Sequence, residues 1–221
     1  MHSTAPAKKS CAKGHNPMIH PKTEVRYIDE EKGYGLFATS PIASGTITWI
    51  LDELDREIDP SEMARYDQKY QEILLKYSFR NNKGNYIFCW DNGRYINHSF
   101  NSNCCLTPYN FEIAVRDIMT GEEITDDYGY LNIIEPFEAR AENGNRTVVY
   151  PDDLLHYAQL WDARIAAAFP RLLQLDQPLL KFLSHETLDT IQAVLQGKRE
   201  MLSIRSCYYD SGSPERIKSK P

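Results

Sequence analysis

The sequence has few cysteines, no long apolar run and no excess of positive charge. No stretch approaches the ~20 apolar residues that span a bilayer, and the opening MHSTAPAKKSCAKGHNP lacks the apolar segment of a secretory signal. Asp and Glu number 31 against 25 Lys and Arg, a formal net charge of −6. This charge disfavours sequence-independent binding to nucleic acid, which depends on cationic neutralisation of phosphates. We therefore expect neither a membrane nor direct nucleic-acid binding.

Cysteine usage indicates the compartment and disfavours a zinc site. Five cysteines are present, and no two have Cys-x-x-Cys spacing. An odd count without a secretory signal is typical of reduced thiols in a cytosol-like compartment. We predict a cytoplasmic protein with no bound metal.

The order of patterns along the chain predicts an α+β organisation. Hydrophobic residues make up 42% and charged residues 25% of the 221 residues, which is typical of a globular protein. Alternating and β-branched runs predict strands over 24–28, 46–51, 85–90, 111–115 and 121–125. The predicted parts are a disordered tail over 1–21, a β-rich domain over 22–132, a helical region over 133–210 and a second disordered tail over 211–221.

Helical spacing predicts three helices. The spacing of apolar residues between Pro60 and Tyr77 predicts a single helix inside the β-rich domain. A second helix is expected to begin at Pro151, with acidic residues in its first turn, and to end at Pro170. A third follows Ser184 and carries Leu188, Ile191, Leu195 and Leu202 on one side. We expect the apolar stripes of the last two helices to pack on the β-rich domain or on each other; the alternatives are a homodimer interface or a substrate-binding wall.

Three separated segments carry residues suited to chemistry: GYGLFA (33–38), RYINHSFNSNC (94–104) and GEEITDDYG (121–129). Two glycines around one residue let a backbone approach a ligand closely. Asn and His supply donors and acceptors suited to a polar cofactor such as an adenine. A Tyr hydroxyl can position a nucleophile or act on its proton. Taken singly, each segment also fits a turn or a structural histidine.

In this order the segments resemble the motifs of the SET-domain protein-lysine methyltransferases, over about Thr23 to Asn132. The resemblance implies small β-sheets of β-clip type in which the last two motifs meet in a knot-like crossing. It implies methyl transfer from S-adenosylmethionine to a lysine side-chain amine of a protein. For an acidic chain the substrate could be a histone or another basic protein, and a histone substrate would imply a nuclear or chromatin location.

The resemblance also implies the site residues. Tyr128 matches the catalytic tyrosine and borders the cofactor. An earlier aromatic residue usually lines the lysine channel; Tyr86 and Trp49 are the candidates, and Tyr86 is the predicted second catalytic residue. The residues that match the cofactor site are Gly33, Tyr34, Gly35, Arg94, Asn97, His98 and Tyr128.

Three departures from the family pattern stand out. Many members close the site with a C-terminal zinc cluster of cysteines, whereas only Cys207 follows Cys105 here, so Tyr130, Phe137 and the helices after Pro151 are the candidate covers. Phe100 and Ser102 stand where many members have Cys and Pro. Asp126 occupies a position that often carries an aromatic residue; it either faces solvent or binds the substrate ammonium. The alternative function is a non-catalytic binding module that retains the cofactor pocket.

Overall fold

Residues 18–140, 142, 144–210 and 212 are described by the structure, a computed structural model. The expected tails over 1–17 and over most of 211–221 lie outside these residues. The elements in chain order are β1 (Thr23–Asp29), β2 (Gly33–Ala38), β3 (Ile47–Ile50), β4 (Arg56–Ile58), α1 (Pro60–Met63), α2 (Gln68–Lys76), β5 (Ser78–Arg80), β6 (Tyr86–Phe88), β7 (Asn97–His98), β8 (Cys104–Leu106), β9 (Phe111–Ala114), β10 (Glu123–Asp126), β11 (Phe137–Glu138), β12 (Val148–Val149), α3 (Asp153–Ala168) and α4 (His185–Leu195).

The strands form small sheets, and helices pack around them, so the α+β class is confirmed. The strand orders are β1-β2-β10-β7, β3-β9-β8, β4-β6-β5 and β11-β12. Strand β10 runs parallel to β7, with Thr125 opposite Asn97 and Asp126 opposite His98. This pairing brings the second and third sequence motifs side by side. The knot-like crossing of these segments stays a prediction.

The core lies between the β3-β9-β8 sheet and the C-terminal helices. Every residue of β3 and β8 is buried, as expected of a sheet covered on both faces. Helix α3 packs against β9, and its predicted stripe of Leu154, Ala158, Trp161 and Ile165 is buried. Fully burying a side chain such as Leu154 contributes roughly 1.5–3 kcal/mol. The apolar stripe of α3 is thus covered within the chain and is not available as a dimer interface. The homodimer itself stays a prediction.

The predicted helix over 60–77 is wrong in one respect, because the segment forms two helices. Asp59 caps α1 by accepting a hydrogen bond from the backbone N–H of Ser61 at 2.7 Å. Asp67 caps α2 by accepting one from the backbone N–H of Tyr70 at 3.1 Å. Each cap satisfies backbone donors at the start of a helix. Hydrophobic periodicity continues across the break and therefore does not reveal it.

Two further boundaries differ from the sequence prediction. Helix α4 ends at Leu195, where Gly197 takes a left-handed φ of +68°, so Leu202 lies beyond the helix with 44% of its surface exposed. The segment 133–152 contains the β11-β12 hairpin instead of helix.

The N-terminal boundary also differs. Ile19, placed in the tail by sequence, is buried and pairs with Trp49. A single apolar residue beside a polar run gives no periodic signal.

Candidate active site

The site is organised around Tyr128, which opens a short 3-10 turn directly after β10. Its backbone N–H donates to Nδ1 of His98 at 3.1 Å, and its hydroxyl donates to the carbonyl oxygen of Ile96 at 2.7 Å. Burial raises the pKa of the Tyr128 hydroxyl, so the group stays protonated at neutral pH. With its proton directed to Ile96, the hydroxyl oxygen can still accept a hydrogen bond from an N–H group.

His98 is a buried neutral imidazole beside this tyrosine. Burial lowers the pKa of His98 from 6.5 to about 4. Because Nδ1 accepts from Tyr128, the hydrogen of the neutral ring is on Nε2, and Nε2 has no hydrogen-bond partner among the described residues. Ring centroids of Phe100, Tyr128 and Phe137 lie 4.5, 5.5 and 5.7 Å from that of the imidazole. Nε2 is therefore a donor that a ligand could satisfy.

The Gly-x-Gly segment is bound directly to Asn97. The Asn97 amide donates from Nδ2 to the Tyr34 carbonyl at 3.0 Å and to Oε1 of Glu123 at 2.7 Å. A Cβ on Gly35 would lie 2.7 Å from that Glu123 oxygen and 3.0 Å from Asn97 Nδ2. Gly35 is thus required for the three segments to approach each other. Sequence reasoning did not single out Glu123, although it lies within the third motif.

The side chain of Asn103 bonds the backbone of the GEEITDDYG segment (121–129). Its Nδ2 donates to the Glu123 carbonyl at 2.8 Å, and its Oδ1 accepts from the Thr125 N–H at 2.9 Å. Asn103 is almost fully buried. One amide side chain therefore bonds the backbone of β10 at Glu123 and at Thr125.

A cavity of about 520 Å³ opens beside Tyr128. Tyr86 and Trp49 both line it, so the two sequence candidates for a channel aromatic lie on one wall. Trp49 is 2% exposed and belongs to the core, while Tyr86 is only partly buried. Arg94 lines the same cavity, with its guanidinium over the rings of Tyr77 and Tyr95 at 5.8 and 5.1 Å.

Asp126 also lines this cavity and does not face solvent, so the solvent-facing alternative is wrong. It is 2% exposed and accepts a hydrogen bond from the Tyr130 hydroxyl at 2.7 Å. Strand alternation places Asp127 on the opposite side. Glu112, which sequence reasoning missed, lies on the neighbouring wall of the cavity. A single Glu in the alternating run 111–115 gives no signal that it is buried.

The expected cover of the site is partly wrong. Tyr130 is buried against Trp161, with ring centroids 5.2 Å apart, and does not cover a pocket. Helix α3 packs behind the turn that contains Tyr128. Of the candidates, Phe137 alone contacts the rings of His98 and Tyr128.

Arg146 ties the turn after β10 to the start of α3. Its guanidinium forms ion pairs with Asp127 and with Asp153, the latter at 2.6 Å. Both carboxylates are almost fully buried, whereas the arginine side chain is 16% exposed. Phe100 and Tyr157 rings lie 4.5 and 4.3 Å from the guanidinium carbon. Asp127 in turn caps the turn that carries Tyr128 by accepting from Gly129 N–H.

Comparison with known proteins identifies the domain. A family model described as SET domain matches residues 33–129. Residues 33–129 are thus similar to a SET domain. The site residues around Tyr128, the Gly-x-Gly strand and the Asn-His strand all lie inside the matched range.

Two curated relatives each match about half of this chain. The N-lysine methyltransferase KMT5A-A of Danio rerio is 35% identical over 124 residues, which are 48% of this chain and 34% of the relative. The variant-silencing SET domain-containing protein of Plasmodium falciparum (isolate 3D7) is 31% identical over 132 residues, which are 52% of this chain and 5% of the relative. The chain thus spans about a third or less of each relative.

No cluster of three or more His, Cys, Asp or Glu suited to a metal ion is found among residues 18–140, 142, 144–210 and 212. Within the same ranges, no helix combines the length and hydrophobicity needed to cross a bilayer. Burial raises the pKa of the Cys104 and Cys105 thiols, which disfavours thiolate chemistry at both.

Proposed function

We propose that this SET domain transfers a methyl group from S-adenosylmethionine to the side-chain amine of a lysine in a protein. The observation that carries the proposal is the position of Tyr128. Its backbone is bound to His98, on the side of the Asn-His and Gly-x-Gly strands, while its side chain lines the cavity that contains Tyr86. Tyr128 therefore lies between the residues of the candidate cofactor site and the candidate substrate cavity.

The residues of the candidate cofactor site, next to the backbone of Tyr128, fit an adenosine cofactor that carries a sulfonium. His98 offers a buried Nε2–H without a partner among the described residues, next to the faces of Phe100 and Phe137. Such donors and rings suit a nucleobase. The bound cofactor would supply the methyl group on a cationic sulfur. The residues that we propose hold it are Gly33, Tyr34, Gly35, Arg94, Asn97, His98 and Tyr128.

On the second side, the chain's own residues orient the amine. A free lysine has a pKa of about 10.4 and is protonated at neutral pH. An apolar wall such as Trp49 favours the neutral amine by desolvation. The Tyr128 oxygen then accepts a hydrogen bond from the amine, and Tyr86 bounds the channel. Such alignment can supply ~7–11 kcal/mol of the barrier reduction.

We propose a basic protein, such as a histone, as substrate. The formal charge of −6 supports a cationic partner, and the Danio rerio relative is named an N-lysine methyltransferase. An acidic run precedes α1, at Asp52, Glu53, Asp55, Glu57 and Asp59, and could attract such a partner. Asp52 accepts a hydrogen bond from the Trp90 indole and Asp59 caps α1. Its members are partly used for local structure.

Cofactor titration tests the proposal. Isothermal titration of the full chain with S-adenosylmethionine and with its demethylated product should give saturable binding, which Asn97→Ala weakens. The Asn97 amide holds the Tyr34 carbonyl and Glu123 in place. Absence of binding to both ligands would refute the proposed cofactor and favour the alternative of a protein-binding module.

Methyl transfer tests the catalytic role. Tritiated methyl from the cofactor should be incorporated into core histones or poly-L-lysine. Tyr128→Phe should lose roughly 10²-fold or more in rate, the scale expected when a reacting group is no longer held in position, with cofactor binding retained. Tyr150→Phe, which lies outside the cavity lining, is the matched control. Cofactor binding without transfer to any acceptor would favour a binding module.

A further inference from the structure

The wall of the cavity beside Tyr128 carries two carboxyl groups, Asp126 on β10 and Glu112 on β9, here called the carboxyl pair. Asp126 is 2% and Glu112 7% exposed. The Tyr130 hydroxyl donates to Oδ1 of Asp126 at 2.7 Å. Oε2 of Glu112 has no donor among the described residues. Both side chains line the same space as the Tyr128 side chain.

The carboxyl pair shares a proton and keeps one negative charge. Each of the two groups acts on the pKa of the other, and two buried carboxyl groups that interact in this way do not both ionise readily. Burial raises the pKa of both groups, and the charge of Asp126 raises the pKa of Glu112 further. One proton on the pair therefore leaves a single negative charge that the two groups share.

Among the described residues, no cation acts on this charge: the groups that do are the two members of the pair, Asp91, Asp127 and the Tyr130 hydroxyl. The lysine and the two arginines that line the cavity lie over aromatic rings, Lys76 over Tyr77, Arg94 over Tyr77 and Tyr95, and Arg80 over Tyr86 and Tyr209. A buried charge without a counter-ion is costly. The cavity is thus arranged for a cation that arrives from outside.

We propose that the carboxyl pair holds the ammonium group of the substrate lysine and accepts its proton. This inference rests on the proposed lysine methylation. One N–H bond of the ammonium breaks, its electron pair stays on nitrogen, and an O–H bond forms on Asp126. The ammonium and the carboxylate become a neutral amine and a carboxylic acid, which later releases its proton to water. The Tyr128 oxygen, which keeps a free acceptor site, orients the resulting amine.

Electrostatics supports the direction of this transfer. The raised pKa of the pair makes Asp126 a better proton acceptor than an exposed aspartate. Desolvation in the cavity lowers the pKa of an ammonium. Desolvation thus brings the two pKa values closer, which favours proton transfer, and it acts against the attraction between ammonium and carboxylate, which favours both charged forms. Tyr128 cannot take this proton, because its own hydroxyl stays protonated.

The test uses a lysine side-chain analogue instead of an unidentified protein. Isothermal titration of the cofactor-free full chain with n-butylammonium and with uncharged n-butanol measures the preference for a cation. We expect n-butylammonium to bind with a Kd at least ~10-fold lower than that of n-butanol. Only the ammonium can form a charge-assisted hydrogen bond with the carboxyl pair, and such bonds are stronger than neutral ones. Equal affinity of the two probes would overturn the proposal.

Two near-isosteric variants test whether the preference for n-butylammonium depends on the carboxyl pair. Asp126→Asn and Glu112→Gln keep the shape of the pair and should remove the preference for n-butylammonium. Asp189→Asn and Glu186→Gln, on the exposed surface of α4, are the matched controls and should keep it. A preference that survives in both pair variants would refute the assignment. If circular dichroism shows that neither variant folds, the proposal is tested by comparing the affinities of the two probes for the unmodified chain.

Cofactor titration on the same protein separates the two proposals. If S-adenosylmethionine binds but the preference for the cation is absent, the carboxyl pair proposal fails and the proposed methylation stands. If the preference is present and Asp126-dependent but the cofactor does not bind, the cation site stands and the methyl transfer fails. In either case the result identifies which proposal is wrong.

Discussion

Replacement of Arg146 by methionine should destabilise the protein through the two aspartates it leaves behind. The guanidinium pairs with Asp127 and Asp153, whose side chains are 1% and 2% exposed. Removing one partner of a buried ion pair costs ~3–5 kcal/mol, because a buried charge loses its compensation. Methionine retains the apolar stem that packs on neighbouring rings. We expect the free energy of unfolding to fall by about 3–5 kcal/mol at pH 7.

The pH dependence of this loss follows from the pKa shifts of the same carboxyls. Burial raises the pKa of Asp127 and of Asp153, and Arg146 opposes the rise in both. Without Arg146 the folded-state pKa values rise further above the unfolded ones. A raised pKa gives stability that is present at low pH and lost as pH rises through the folded pKa. The deficit of Arg146→Met should therefore shrink between pH 7 and pH 5.

Urea unfolding followed by tryptophan fluorescence, at both pH values, measures this deficit. Arg140→Met is the control: it removes an arginine from the same segment whose side chain is 64% exposed and pairs with Asp29 on the surface. Such pairs contribute ~0–1 kcal/mol. A loss for Arg146→Met that is no larger than for Arg140→Met, or an equal deficit at both pH values, would refute the reasoning.

Three further predictions concern backbone approach, a buried amide and a buried imidazole. Gly35→Ala should lose cofactor binding and stability, since its Cβ would meet Ile28 Cδ1 at 2.6 Å, whereas Gly144→Ala, with open space around it, should be neutral in the same titration and melting assays. Gln177→Ala should lower the free energy of unfolding, measured in urea, by about 1–3 kcal/mol, because this buried amide bonds the backbone of residues 45, 47 and 172. The control Gln174→Ala, at an exposed position, should change the free energy of unfolding little. The contribution of His98 to stability should be present above pH 6.5 and be lost as pH falls towards 4, because burial lowers its pKa to about 4; its upper limit is ~1.4 kcal/mol per unit of pKa shift. Buried carboxyls with raised pKa values act in the opposite direction, so the test compares His98→Gln with the unmodified protein: the variant should lose less stability over this range, and an identical pH dependence would contradict the prediction.

Local patterns in the sequence predicted the strands and the stripe of α3 well. The alternating run 111–115 became β9, and the apolar positions from Leu154 to Ile165 became the buried face of α3. Both depend on a period of two or 3.6 residues that any single segment displays. Predictions failed where a cap or a left-handed residue ended an element, as at Asp67 and Gly197, since periodicity continues across such points.

The sequence by itself determined the residue types at the site and the order of the three motifs. Gly35, Asn97 and Tyr128 were identified because those motifs recur in a known domain, and residues 33–129 match its family model. Only the tertiary structure decided that Asp126 faces the cavity and that Glu112, fourteen positions earlier in the chain, lies beside it. The pairing depends on β9 and β10 lying in two different sheets that meet at the core. Local sequence periods carry no information about such contacts, because they arise from how whole sheets pack on each other.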